Sequence, residues 1–198
     1  MKFRAVLFDL DGVLIDSKNV WFELMNSAAI HFGAPPVTQE MMKTLWGSGV
    51  TEDTELLYPG QTVESVAAYY NAHFLDFVDH ITVDPDAEQV MLELRQAGLG
   101  FAVTTNTPHE AAQKILTAVN LSPEIIVGGT DDPNPKPAPD MLHKALEQLT
   151  VSTENAIMVG DTKYDREAAH AAGVFFAGYG IEGDITLEKL SDLLHHLN

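Results

Sequence analysis

Cysteine is missing altogether from the 198 residues, which excludes thiol nucleophiles, cysteine-ligated metals and a disulfide scaffold, and fits a reducing interior. Cationic side chains are scarce: 11 Lys and Arg stand against 29 Asp and Glu, for a formal charge of −18. So anionic a surface repels nucleic acid and anionic membranes at long range, and neither is expected as a partner. Long apolar runs are lacking too. The start Phe3 to Phe8 is cut short by Asp9 and Asp11, and no later stretch approaches the roughly 18 residues of a membrane span. A cytoplasmic location is therefore the expectation. What is present, with 45% hydrophobic residues, is enough for one substantial core and a small second subdomain.

Short apolar runs alternate with helical patterns. Phe3 to Phe8 reads as a buried strand that delivers Asp9 and Asp11 at its carboxyl end. Gly100 to Thr105, Glu124 to Val127, Asn155 to Gly160 and Gly173 to Ala177 repeat the pattern, with helices over Asp86 to Ala97 and Pro108 to Val119. Such alternation predicts an α/β fold with a doubly wound parallel sheet, whose ligands lie beyond the carboxyl ends of the strands. The stretch from Asp16 to His80 breaks the rhythm, with helical patterns over Trp21 to Phe32 and Val63 to Val78 and no convincing strand. It reads as an all-α cap, residues 16–80, inserted into a core made of residues 1–15 and 81–198. A cap beside the strand ends can exclude water from a site, although a purely stabilising lobe would look the same in sequence.

Four stretches at predicted strand ends carry groups suited to phosphoryl chemistry. In Asp9-Leu10-Asp11-Gly12, two carboxylates two residues apart point the same way along a strand, and Gly12 lets backbone approach a ligand. Such a pair can divide nucleophilic from acid–base work, though strand-end acids that cap the next turn are the plainer alternative. Thr105 and Asn106 offer a hydroxyl and an amide at a second strand end, whereas Thr107-Pro108-His109-Glu110 reads as a capping box that assigns Thr107 to structure and leaves His109 as an exposed residue of the first helical turn. Lys136 stands between Pro135 and Pro137 in a glycine- and proline-rich loop that restricts its backbone. In a chain so poor in cations, it is a candidate for a functional charge rather than a surface lysine. In Gly160-Asp161-Thr162-Lys163-Tyr164-Asp165, a helix starting near Thr162 puts Asp161 and Asp165 about one turn apart, where both can reach one hard cation.

Acid pair, hydroxyl, lysine and second acid pair, in that order, resemble the haloacid dehalogenase superfamily of hydrolases over nearly the whole chain. Phe8-Asp9-Leu10-Asp11-Gly12-Val13-Leu14 matches its first motif, Thr105-Asn106 its second, Lys136-Pro137-Ala138-Pro139-Asp140 its third and Gly160-Asp161-Thr162 through Asp165 its fourth. The insertion looks like that family's helical cap, and the likeness is greatest to its phosphoglycolate phosphatase-like branch. The resemblance implies a Mg²⁺-dependent phosphatase acting on a small-molecule phosphate ester, as a monomer or homodimer. It makes Asp9 the nucleophile and Asp11 the acid and base, with Gly12, Thr105, Asn106 and Lys136 at the phosphate. Mg²⁺ would be held by Asp9, the Asp11 backbone carbonyl and Asp161, with Asp165 as a ligand or just behind. Asp11 favours phosphate esters over carbon–halogen bonds, since an alkoxide leaving group needs a proton and a halide does not. A phosphomutase built on the same core, or a non-catalytic phosphate- or partner-binding protein, are the other readings.

Between Asn19 and Leu94 the only Lys or Arg is Lys43. Unless Lys43, a histidine such as His31 or helix amides intervene, the cap suits a neutral leaving group such as a sugar or polyol. Gly47-Ser48-Gly49 is expected as a flexible loop facing the site, Trp21 and Trp46 as core packing ahead of the alternative that they line the pocket, and Leu187 to Leu197 as a packed terminal helix with His195-His196 as a polar tail, not a zinc site.

Overall fold

The computed structural model describes residues 3–197. Among the described residues there are eight strands: β1 Ala5–Phe8, β2 Ile15–Asp16, β3 Thr82–Val83, β4 Gly100–Thr104, β5 Ile125–Val127, β6 Ala156–Gly160, β7 Phe175–Tyr179 and β8 Ile185–Leu187. Six of them form one parallel sheet in the order β5-β4-β1-β6-β7-β8. From β1 the chain builds outward to β4 and β5, then crosses back to add β6, β7 and β8 on the other side. The order thus reverses at β1, and the crevice beyond its carboxyl end is where such sheets bind ligands.

Alternation along the central strands divides two packed layers. Val6 and Phe8 face one side with Phe101, Val103, Ile157 and Val159, where they meet Val90, Met91 and Leu94 of α5 (Ala87–Gln96) and Ile115 of α6 (His109–Ala118). Ala5 and Leu7 face the other with Ala102 and Met158, against Met141, Leu142 and Ala145 of α7 (Asp140–Leu149) and Ala168 and Ala169 of α8 (Lys163–Ala172). Both faces of β1 are buried, so its four residues read as an unbroken apolar run.

Residues 18–80 hold α1 (Lys18–Phe32), α2 (Gln39–Leu45), α3 (Val50–Leu57), α4 (Val63–His73) and a 3-10 turn Phe74–His80. Their apolar faces join the first core layer through Leu24, Tyr58, Tyr70 and Phe74. Thr38 and Thr62 begin two of these helices by accepting backbone N–H groups three residues on. The chain enters and leaves this helical segment through an antiparallel ribbon, Ile15 opposite Val83 and Asp16 opposite Thr82.

Two expectations are corrected. The ribbon puts Asp16 in a strand, where only helices were expected; two residues per strand are too few to show alternation. The predicted terminal helix is instead β8 ending at Leu187, then a 3-10 turn Leu190–His196. Leu187, Leu190, Leu193 and Leu197 are all buried, so the packing role holds while the geometry differs. No helix among the described residues is long and apolar enough to cross a membrane.

Candidate active site

Asp9 and Asp11 follow β1, Thr105 and Asn106 follow β4, the loop after β5 carries Lys136, and Asp161 follows β6. The parallel sheet brings these four strand ends together. Asp9 is buried, with Oδ1 2.9 Å from Lys136 Nζ; the same ammonium lies 2.5 Å from Asp165 Oδ1 and donates to the Thr104 carbonyl at 2.9 Å. Burial works against this ammonium, but Asp165 and Asp9 overcome it and hold Lys136 above its ordinary value, so it is charged at any working pH. Burial, reinforced by Asp165, pushes the Asp9 carboxyl well up despite Lys136. Burial also raises Asp161, to about 6.

Asp9, Asp161 and Asp165 each present a carboxylate oxygen within 4.8 Å of the others. Asp161 Oδ1 is buried and has no hydrogen-bond partner among the described residues. An orphaned oxygen beside crowded carboxylates, in an all-oxygen donor set, fits a hard divalent cation. Asp165 is differently engaged: its Oδ1 meets Lys136 and its Oδ2 accepts from the Thr162 N–H (3.0 Å) and hydroxyl (2.6 Å), which closes the capping box that starts α8. Its present contacts make it the anchor of Lys136 and of Asp161's neighbourhood. Gly12 has φ +86°, and a Cβ there would sit 2.1 Å from Asp161 Oδ2. Gly12→Ala is therefore expected to lose about 1–2 kcal/mol of stability from the left-handed backbone alone and to weaken divalent-cation binding by displacing Asp161, measured by thermal denaturation and calorimetric titration.

The side chain of Asp11 turns away from that cluster. Its Oδ1 accepts from the Ser17 hydroxyl and the Trp21 indole N–H (2.8 Å), its Oδ2 from the Thr107 hydroxyl (2.7 Å). Four predictions change here. Thr107 caps no helix; α6 starts at His109 without a side-chain cap, and the threonine holds Asp11 instead. Trp21 packs against Tyr70 and Phe74 as expected but also reaches Asp11. Trp46 donates to Asp161 Oδ2 at 2.9 Å across the cap–core boundary. No local sequence pattern announces an indole N–H aimed at a residue ten or more positions away. His109 is half-buried, with Nδ1 2.5 Å from Asp131 Oδ2, rather than free on the surface.

Thr105 Oγ1 accepts the Thr107 N–H (3.1 Å), which leaves its own proton to donate. Both donors of the Asn106 amide are engaged: Nδ2 donates to the carbonyls of Lys136 (2.9 Å) and Gly47 (3.0 Å), and Oδ1 accepts the Lys136 N–H (2.9 Å). It clamps the lysine loop and ties it to the cap, a use that a strand-end asparagine does not reveal in sequence. The 47–49 loop does face the site, and it is held there. Gly47 has φ +83°, and a Cβ would meet the Thr162 side chain at 2.7 Å.

Between cap and core lies a cavity of about 40 Å³, with Asp9, Asp11, Thr105 and Lys136 on one side and Met25, Met42, Ser48, Asp53 and Tyr70 on the other. Asp53 was not anticipated. Val50, Asp53, Thr54 and Leu57 are the buried positions of α3, spaced three and four apart, so a helical projection of Val50 to Leu57 would have put an acid on the inner face. Burial raises its carboxyl from 3.8 to about 7 against weaker help from Ser48 and Tyr70. Between these values the folded protein keeps a proton that the unfolded chain has lost, so stability falls as pH rises through that window, by up to about 4 kcal/mol. Asp53→Asn is thus expected to melt above the parent at pH 8, the difference shrinking toward pH 4, as parallel thermal scans would show.

The sequence pattern of the haloacid dehalogenase-like hydrolases matches residues 6–179. The phosphoglycolate phosphatase of Aquifex aeolicus is 32% identical over 202 positions, covering 96% of this chain and 95% of the relative. A subfamily IA hydrolase of the same superfamily from Geobacter sulfurreducens superposes with a TM-score of 0.81 at 24% identity, covering 98% of this chain and all (100%) of that one. A CbbY mutant from Rhodobacter sphaeroides, in complex with xylulose-(1,5)bisphosphate, gives 0.84 at 21% identity, covering 96% of each chain. The chain belongs to the haloacid dehalogenase-like hydrolases. Within that family it is a phosphatase.

Proposed function

We propose that this enzyme hydrolyses a small phosphate monoester through a phosphoryl group carried on Asp9. The observation that supports it is the separation of two carboxylates on one strand end: Asp9 lies against Lys136 in the buried acidic cluster, while Asp11 is held apart by Ser17, Trp21 and Thr107. An Asp9 oxygen attacks phosphorus as the bond to the ester oxygen breaks, and Asp11 gives its proton to that oxygen. Asp11 then takes a proton from water, whose oxygen bonds to phosphorus and frees Asp9. Both states of Asp11 can be accommodated, because the hydroxyls of Ser17 and Thr107 can turn from donor to acceptor whereas the Trp21 indole only donates.

Lys136 and the free proton of Thr105 meet the phosphoryl oxygens, where charge must be stabilised during transfer. Asn106 acts on the phosphate through the loop that it clamps. Mg²⁺ held by Asp9, Asp161 and the Asp11 carbonyl would supply further positive charge there, with Asp165 behind. These cations answer the difficulty that a chain of net charge −18 presents to an anionic substrate. Phosphoglycolate, from the name of the Aquifex relative, and sugar or polyol phosphates are the substrates within the reading. The test is phosphate release from a panel of small monophosphates with and without Mg²⁺. Release that needs Mg²⁺ is expected; a broad panel left untouched would refute the reading.

A further inference from the structure

The cap wall of the cavity is built for a particular kind of leaving group. Among the described residues that line the cavity, Lys136 is the only Lys, Arg or His, and it lies beside Asp9 and Asp165, on the phosphoryl side and not on the cap wall. Lys43 and His31 are both exposed on the cap and do not line the cavity; Lys18, exposed at the start of α1, lies over the Trp46 ring, 5.2 Å from its centroid, and is not part of the lining either. The α3 N-terminus borders it, but Glu52 and Asp53 in the first turn already answer that positive end. Among the described residues the cap side of the lining therefore offers an anion no cation, only the Ser48 and Tyr70 hydroxyls and the buried Asp53 carboxyl.

That carboxyl is incompletely satisfied. Its Oδ1 accepts from Ser48 at 3.1 Å, although the Ser48 hydroxyl also has the Leu45 carbonyl at 2.6 Å; its Oδ2 accepts from Tyr70 at 3.3 Å, although Tyr70 also meets Tyr58 at 3.1 Å. Two long bonds from hydroxyls that have other partners leave acceptor sites open on a group with about four lone-pair directions. Met25, Met42 and Leu45 make the rest of the wall apolar, so the pocket exposes little else to a polar ligand.

We propose, on the basis of the phosphatase reading above, that Asp53 and its hydroxyl partners form a subsite for an uncharged, hydroxyl-bearing leaving group, a short polyol or small sugar, and that the same residue excludes a leaving group carrying a carboxylate. A hydroxyl of the ester donates to Asp53 and accepts from Ser48 or Tyr70. A carboxylate in the same place meets a like charge in a desolvated pocket, where nothing offsets the repulsion.

The experiment compares kcat/KM for glycerol phosphate and phosphoglycolate at pH 8 with Mg²⁺, in the parent and in Asp53→Asn, with p-nitrophenyl phosphate as a third substrate. The parent is expected to favour glycerol phosphate on the order of 100-fold, and Asp53→Asn to narrow that ratio at least about tenfold by raising the phosphoglycolate value. Equal or greater activity of the parent on phosphoglycolate overturns the proposal without any variant. So does an unchanged ratio in an Asp53→Asn protein whose circular dichroism matches the parent's. In either case phosphate release from any of the three substrates leaves the phosphatase reading standing. No release from all three overturns both.

Discussion

Asp9→Asn is expected to lower kcat for phosphate release by at least about 1,000-fold while leaving the protein as stable as the parent or more so. The two halves of this result have one origin. Asp9 sits in a buried cluster with Asp165 and Asp161, and burial together with those neighbours pushes its carboxyl well up. Making it neutral relieves that repulsion, so the fold gains or holds even where the reaction loses its nucleophile. Lys136 keeps its contacts with Asp165 and the Thr104 carbonyl in the variant. A residue that merely completed the packing would show the reverse pattern, with activity and melting temperature falling together.

Lys136→Met should fail on both counts. The ammonium is the cation at the centre of this cluster, 2.9 Å from Asp9 and 2.5 Å from Asp165, and it is almost entirely buried. Its removal leaves two buried carboxylates without their partner, a loss of about 3–5 kcal/mol, which is a large part of the stability of an ordinary domain. Activity is expected to fall at least about 100-fold in the protein that remains folded, since the charge facing the phosphoryl oxygens is gone. Urea denaturation and phosphate release at a temperature where the variant is folded separate the two losses. Lys136→Arg is not expected to rescue either, because a planar guanidinium cannot sit where one compact ammonium meets three oxygens.

The ends of β1, β4 and β6 were legible because each is a largely buried apolar run that stops at a polar group; Phe8 to Asp9 and Gly160 to Asp161 show this most sharply. The helical insertion was legible from periodicity over lengths of ten residues and more. The ribbon of Ile15 and Asp16 with Thr82 and Val83 was not, being too short for any period, and β8 was hidden because its leucine shares a helix-like spacing with those that follow. Within the site, the groups on motif residues could be named, but not their partners. Which carboxylate Trp21 and Trp46 would reach depends on how the cap rests on the core, and which one Thr107 would reach depends on which strand ends the sheet sets side by side, with contacts spanning up to 115 positions in the case of Trp46 and Asp161. Asn106 illustrates the same limit: its chemistry suits phosphate, yet two backbone carbonyls already take both of the N–H donors that a phosphate would need. Asp53 alone was within reach of sequence, through its place on the inner stripe of α3.

The most direct measurement is to quench turnover of an active phosphate ester with acid and locate the phosphoryl group by peptide mass spectrometry. The account predicts label that fragmentation of the peptide places on Asp9 itself, lost on further incubation before the quench and absent from Asp9→Asn. Label on Asp11, Asp161 or Asp165 instead, or turnover with no trapped label in a single-turnover time course, would contradict it.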